Sequence, residues 1–116
     1  MNEHVVIRTV DIGHPPMRAD EAEFLLDETL RVSASPGGPR ALKVIHGHGT
    51  PDRPGVLREV VRNWAYRRGK TIQAVIPGEE YDLFHPATQQ LRAACGSDPD
   101  PDLGAANPGI TIIWFR

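Results

Sequence analysis

The sequence predicts an α/β domain built as a two-layer sandwich, and three observations carry that expectation. Runs rich in β-branched residues alternate with runs whose apolar residues recur at helical spacing, the order of βαβ units around a mostly parallel sheet. A glycine turn, Gly47-His48-Gly49, stands where the second strand-like run gives way to the second helical one. Only two helical runs are long, so one sheet face should be covered best, the other being exposed or covered by a late segment or a partner.

Residues 5–12 favour an extended chain, because β-branched side chains pack well on a pleated surface and Pro15 and Pro16 cannot continue a ladder. Ala22, Leu25, Leu26, Thr29 and Leu30 then recur with helical period. Asp20 and Glu21 precede most of them, where a helix start favours negative charge, so a helix is expected over about 18–32. Residues 33–39 are a loop by composition, and 41–46 form the second strand. In the second helix Leu57, Val60, Val61, Trp64 and Ala65 share a face, with Pro54 suited to its first turn and Gly69 to its C-terminal cap. Residues 71–76 give a third strand, ended by Pro77-Gly78, and 109–115 give the last. Between these, about 81–108 read as an insertion, with a short helix at 86–94 and a proline-bearing, irregular and mobile stretch at 97–108. Asp98, Asp100 and Asp102 mimic the start of a calcium loop, but Leu103 stands where glycine is required and Gly109 where glutamate is, so a solvated acidic loop is expected.

A length of 116 residues, with 40% hydrophobic and 24% charged, fits one domain over 1–116. No apolar run approaches a bilayer span and the first residues lack a secretory pattern, so a soluble, cytoplasmic protein without membrane partners is expected. Cys95 is the one cysteine, which excludes an internal disulfide and a cysteine metal cluster. A net charge of −2 argues against a generally basic nucleic-acid binder, yet residues 53–70 hold six basic side chains against the single acid Glu59. Acids crowd the first helix instead, so one end of the molecule can accept a polyanion while another repels it.

Glycines let a backbone approach a ligand closely, and a helix start offers N–H groups to an anion, so Gly47 and Gly49 are phosphate-binding candidates. Ligands in such sheets sit at the carboxyl ends of parallel strands, which brings Asp11, Gly13 and His14 toward His46 and His48. Arg58 lies in the opening turn of its helix, where the helix dipole disfavours a cation unless an anion is near, and is a further phosphate contact. Trp64 belongs to the core; Tyr66, off that face, is a candidate for base stacking. Asp11, His14, His46 and His48 can together hold a divalent metal ion, although no His-x-x-x-His helix pair occurs.

Val10-Asp11-Ile12, Ile45-His46-Gly47-His48-Gly49, Gly55-Val56-Leu57-Arg58 and Gly109-Ile110-Thr111-Ile112 together resemble the Smr domain, the small MutS-related module found alone and at the C-terminus of MutS2-type proteins. The resemblance implies a βαβαββ sandwich with a four-stranded mixed sheet, similar to the C-terminal domain of a bacterial translation initiation factor. It also implies binding of DNA or RNA, or a nicking endonuclease. On that footing Asp11 and His46 would be catalytic, His46 as general acid or base and Asp11 orienting it, with His14 and His48 accessory. A non-catalytic nucleic-acid or protein interaction module is the alternative. The family's first motif reads Asp-Leu-His-Gly, whereas this chain has Asp11-Ile12-Gly13-His14, its glycine and histidine exchanged. A one-residue displacement on a strand turns a side chain to the opposite face, so the exchange bears on cutting more than on holding a phosphate.

Overall fold

A computed structural model describes residues 7–49, 51–52, 54–96 and 98–116. Val5 and Val6 of the expected first strand, Thr50 and Arg53 of the loop after the glycine turn, and Ser97 lie outside the described residues.

Strand β1 (Ile7–Asp11) leads to helix α1 (Ala19–Ser33), strand β2 (Ala41–Ile45), helix α2 (Val56–Arg67) and strand β3 (Ile72–Pro77). A 3-10 turn (Gly78–Glu80), helix α3 (Pro86–Cys95) and strand β4 (Ile110–Phe115) complete the order. The four strands form one mixed sheet in the order β1-β2-β4-β3. β1 and β2 pair in parallel, whereas β4 runs antiparallel to both β2 and β3. The expectation of mostly parallel pairing therefore holds for one pair only, because β4 enters between β2 and β3 in the opposite direction. Three strands still end at the same edge, and β4 begins there.

The period of two along each strand divides the core. Leu42, Val44, Ile72, Ile113 and Phe115 face α1 and α2, where Leu26, Val61 and the fully buried Trp64 meet them. Truncating a buried side chain of Trp64's size costs about 3–5 kcal/mol. Ala41, Ile76, Ile110, Ile112 and Trp114 face the other way and are covered by Tyr81 and by Leu91 of α3. The late segment is thus what closes the second face.

That segment is held from beneath. Lys43 Nζ lies 2.6 Å from Asp100 Oδ1 and 2.8 Å from Asp102 Oδ2, with the Lys43 and Asp100 side chains only 10% and 12% exposed. The Tyr81 hydroxyl donates to Asp100 Oδ2 at 2.9 Å. The expected solvated loop is instead a clasp: a lysine on an otherwise apolar strand face needs paired carboxylates when buried. Burial works against the Lys43 charge, but the two carboxylates outweigh it and raise the pKa.

Helix boundaries shift by a residue. Arg18 is the N-cap of α1, its N–H donating to Glu21 Oε1 at 3.1 Å. Pro54 stands outside α2, because Gly55 is the N-cap and takes a left-handed conformation with φ 71°. Arg68 caps the other end in place of Gly69, its N–H donating to Ala65 O at 3.1 Å.

Candidate functional site

The loops that follow β1 and β2 meet the start of α1 and the start of α2 around one cleft of about 690 Å³. Asp11 ends β1 and folds the chain back on itself: its Oδ1 accepts the N–H groups of Gly13 at 2.9 Å and His14 at 3.1 Å. Gly13 then passes so close to the second loop that a Cβ there would stand 2.7 Å from both the carbonyl carbon and oxygen of His46. No side chain fits at position 13, which gives a steric reason for the imidazole to stand at 14.

His14 reaches the cleft from that position. Its Nδ1 is 3.2 Å and 3.3 Å from the two oxygens of Asp11. Its Cε1 and Nε2 edge faces the Cα side of Gly47, where a Cβ would lie 3.5 Å and 3.6 Å away. The pair is open to solvent, with His14 64% and Asp11 41% exposed. Burial pushes the Asp11 pKa up, but hydrogen bonds from Gly13 and His14 together with the nearby imidazole hold it below the ordinary value, so the carboxylate is charged near neutrality.

His46 lies behind this pair and is 2% exposed. Nδ1 is 2.9 Å from Gly47 O and Nε2 is 2.9 Å from Thr111 Oγ1. A carbonyl only accepts, so Nδ1 carries the hydrogen and Nε2 accepts from the threonine hydroxyl. Arg62 Nε donates to that hydroxyl oxygen from the other side at 3.4 Å. The result is a directed relay from guanidinium to hydroxyl to imidazole to loop carbonyl. Burial, and then the positive charges of Arg62 and Arg58, lower the His46 pKa and keep the ring neutral.

The backbone completes the support. Gly109 O accepts the N–H groups of both His46 and Gly47 at 3.0 Å, and Gly109 N–H donates to Asn107 Oδ1 at 2.8 Å. The N–H of Gly47 is therefore committed within the fold. His48 is exposed, with its carbonyl accepting Gly55 N–H at 3.2 Å and its ring beside Gly109. Gly49 lines the cleft rim. Arg58 folds back across Gly55, its Nη2 only 2.9 Å from where a Cβ would stand, and so lies over the start of α2. No side chain caps that helix start.

Three of the six basic residues of the run 53–70 are paired within the fold. Arg67 meets Glu23 at 2.8 Å, Arg68 meets Asp27 at 2.6 Å and also covers the Trp64 ring, and Arg62 meets Glu79 at 3.3 Å. Among the described residues Arg58 takes part in no salt bridge, although its charge, together with that of Arg62, lowers the pKa of Glu79. Tyr66 is ten residues along α2 from its start, about 15 Å away by helical rise, and so stands apart from the cleft. Among the described residues no group of three or more His, Cys, Asp or Glu side chains is arranged to hold a metal ion. None of the helices in the described residues is long and apolar enough to cross a membrane.

His14, His46, Gly47, His48 and Gly49 thus line one cleft, with Asp11 behind His14 and Arg58 at Gly55 beside it. Thr111, Arg62 and Asn107 were not singled out by sequence reasoning as partners of the site. A signal for the first was present: threonine is the one polar residue in the run Ile110-Thr111-Ile112-Ile113-Trp114-Phe115.

Comparison with curated proteins gives no match. A family model described as the Smr domain matches residues 15–90, a stretch that runs from just after His14 through the glycine turn and α2 into α3. With well over half of the 116 residues inside that match, the chain belongs to the Smr domain family.

Proposed function

We propose that this Smr domain binds nucleic acid at the cleft and hydrolyses a phosphodiester there, with Asp11 and His14 handling the proton and His46 holding the glycine turn in place. The observation that carries this reading is the exposed Asp11 and His14 pair, one imidazole nitrogen on a carboxylate and the other edge turned toward Gly47. A carboxylate accepting Nδ1–H leaves Nε2 with its lone pair, the arrangement of an oriented general base. The same Asp11 retains the orienting role expected from sequence, while the base role passes from His46 to His14.

In the reaction, Nε2 of His14 takes a proton from water as the water oxygen bonds to phosphorus. The ester P–O bond breaks, and the imidazolium returns the proton to the leaving oxygen. Arg58 and the uncapped start of α2 supply positive potential for the phosphate, and Gly49 lets its backbone come close. His48, on the rim, is accessory.

The test uses supercoiled plasmid DNA and structured RNA with the wild type, His14→Ala and His46→Ala. His14→Ala should lose cleavage by about 10²-fold or more while keeping stability. His46→Ala should lose stability together with activity. A wild type that cuts neither substrate with any added divalent ion, yet binds both with a steep loss of affinity between ~50 and 200 mM salt, supports the second reading, a non-catalytic binding module. That reading is favoured by one observation: residues 11–14, with the exchanged glycine and histidine, fall outside the matched stretch.

A further inference from the structure

The cleft is much larger than a phosphate group needs, and its two sides differ in chemistry. One side is the glycine turn with its imidazoles. The other is mainly apolar, formed by Pro16 and Met17 before α1 and by Val56 and Leu57 at the opening of α2, with Arg18, paired to Asp20, beside Met17. Met17 and Val56 are only half-buried, although Met17 also packs against the core. A volume of about 690 Å³ lies within the range of sites for small organic ligands.

From this division we infer that the cleft receives an unpaired nucleobase, with the adjoining phosphate at the Gly49 and Arg58 side. The inference rests on the nucleic-acid reading above and adds the class of substrate: single-stranded or extruded nucleotides. A base has flat apolar faces and one backbone phosphate within a few ångströms, which matches an apolar wall placed beside a cationic edge. Bases in a continuous duplex are stacked inward and present their phosphates outside, so a paired base must be unstacked and turned out before it can enter. Imidazole faces at His14 and His48 can add stacking, as histidine does in single-strand recognition.

Charge on the two helix starts favours this orientation. The start of α1 is already supplied with acceptors, since Glu21 Oε1 takes Arg18 N–H and Asp20 Oδ1 takes Glu21 N–H. The start of α2 has no side-chain cap and has Arg58 laid over it. The anionic part of a nucleotide therefore belongs at Gly49 and Gly55, where Arg58 lies, and its base inward against Pro16 and Met17.

Two fluorescent single strands of equal length and charge separate the contributions: an oligothymidylate and the same backbone with every base replaced by an abasic residue. Measured on the full chain at low salt, the base-bearing strand should bind about tenfold more tightly than the abasic one. A duplex of that length should bind no better than the abasic strand. Met17→Ser should reduce the ratio between the two strands without weakening the abasic one. Equal affinity for both strands in the wild type, or an equal effect of Met17→Ser on both, overturns the base subsite and leaves the phosphate-binding reading standing. Binding of neither strand overturns both readings.

Discussion

Thr111 Oγ1 stands between Arg62 Nε, 3.4 Å away, and His46 Nε2, 2.9 Å away, and so satisfies the lone pair of a buried imidazole. The Gly47 carbonyl, which can only accept, places the proton on the other nitrogen, and the bond ties the ring to the glycine turn. Replacing Thr111 by Val keeps the shape and removes the hydroxyl, leaving a buried acceptor without its partner. The expected loss is about 1–3 kcal/mol in urea unfolding. The His46 ring resonances should shift with it, whereas Thr111→Ser should retain most of the stability.

Acid should weaken the fold through His46. Its folded pKa is depressed below the ordinary 6.5, so the unfolded chain binds the proton more readily. Stability contributed by the neutral ring is complete above about 6.5 and declines as pH falls below that value toward the folded pKa. Unfolding curves between pH 8 and 5 should show this slope in the wild type and a shallower one in His46→Gln. An unchanged slope in the variant would remove His46 as its source.

Gly13→Ala should be costly despite the exposed surroundings of the loop. The new methyl would stand 2.7 Å from the His46 carbonyl, against backbone that also anchors the relay. Overpacking of this kind costs about 1–3 kcal/mol. The variant should also displace His14, since the two loops must part to admit the methyl, and the His14 ring resonances in NMR read that separately from stability.

Lys43→Met should destabilise by about 3–5 kcal/mol, the cost of leaving buried charge without its partner. It leaves Asp100 and Asp102 facing one another, and the double change Lys43→Met with Asp100→Asn should recover part of the loss. Asp100 itself is pushed up by burial but pulled further down by Lys43, the Asp102 N–H and the Tyr81 hydroxyl. Its folded pKa is therefore below the unfolded one, and its contribution is present above about 3.8 and lost as pH falls through the folded value.

Much of the fold was legible because it rests on local periodicity. The apolar stripe of α2, the β-branched runs of β1 and β2 and the start of α3 at Pro86 all stand within a residue or two of where their spacing places them. Sheet order was less accessible, since the direction of β4 depends on pairing with residues far away in the chain and not on its own composition. The site followed the same division. Asp11, His14, His46 and the glycine turn are named by where strands end, but the buried setting of His46 depends on Gly109 and Thr111, which arrive at the start of β4. Asp100 and Asp102 misled for that reason too: three aspartates in a proline-bearing stretch read as solvated until Lys43, on a different element, is seen to face them.

The position of β4 also bears on how the chain comes into being. It lies at the centre of the sheet, hydrogen-bonded to β2 on one side and β3 on the other, yet it is the last strand to be synthesised. His46 meets Thr111 across 65 positions of sequence. A nascent chain that has made β1, β2 and β3 carries two strands with unpaired edges and apolar side chains on both faces. Such edges invite pairing with other chains. Sheet and cleft must therefore form together and late, when residues 110–115 clear the ribosome, and long-range closure of this kind is slow compared with helix formation.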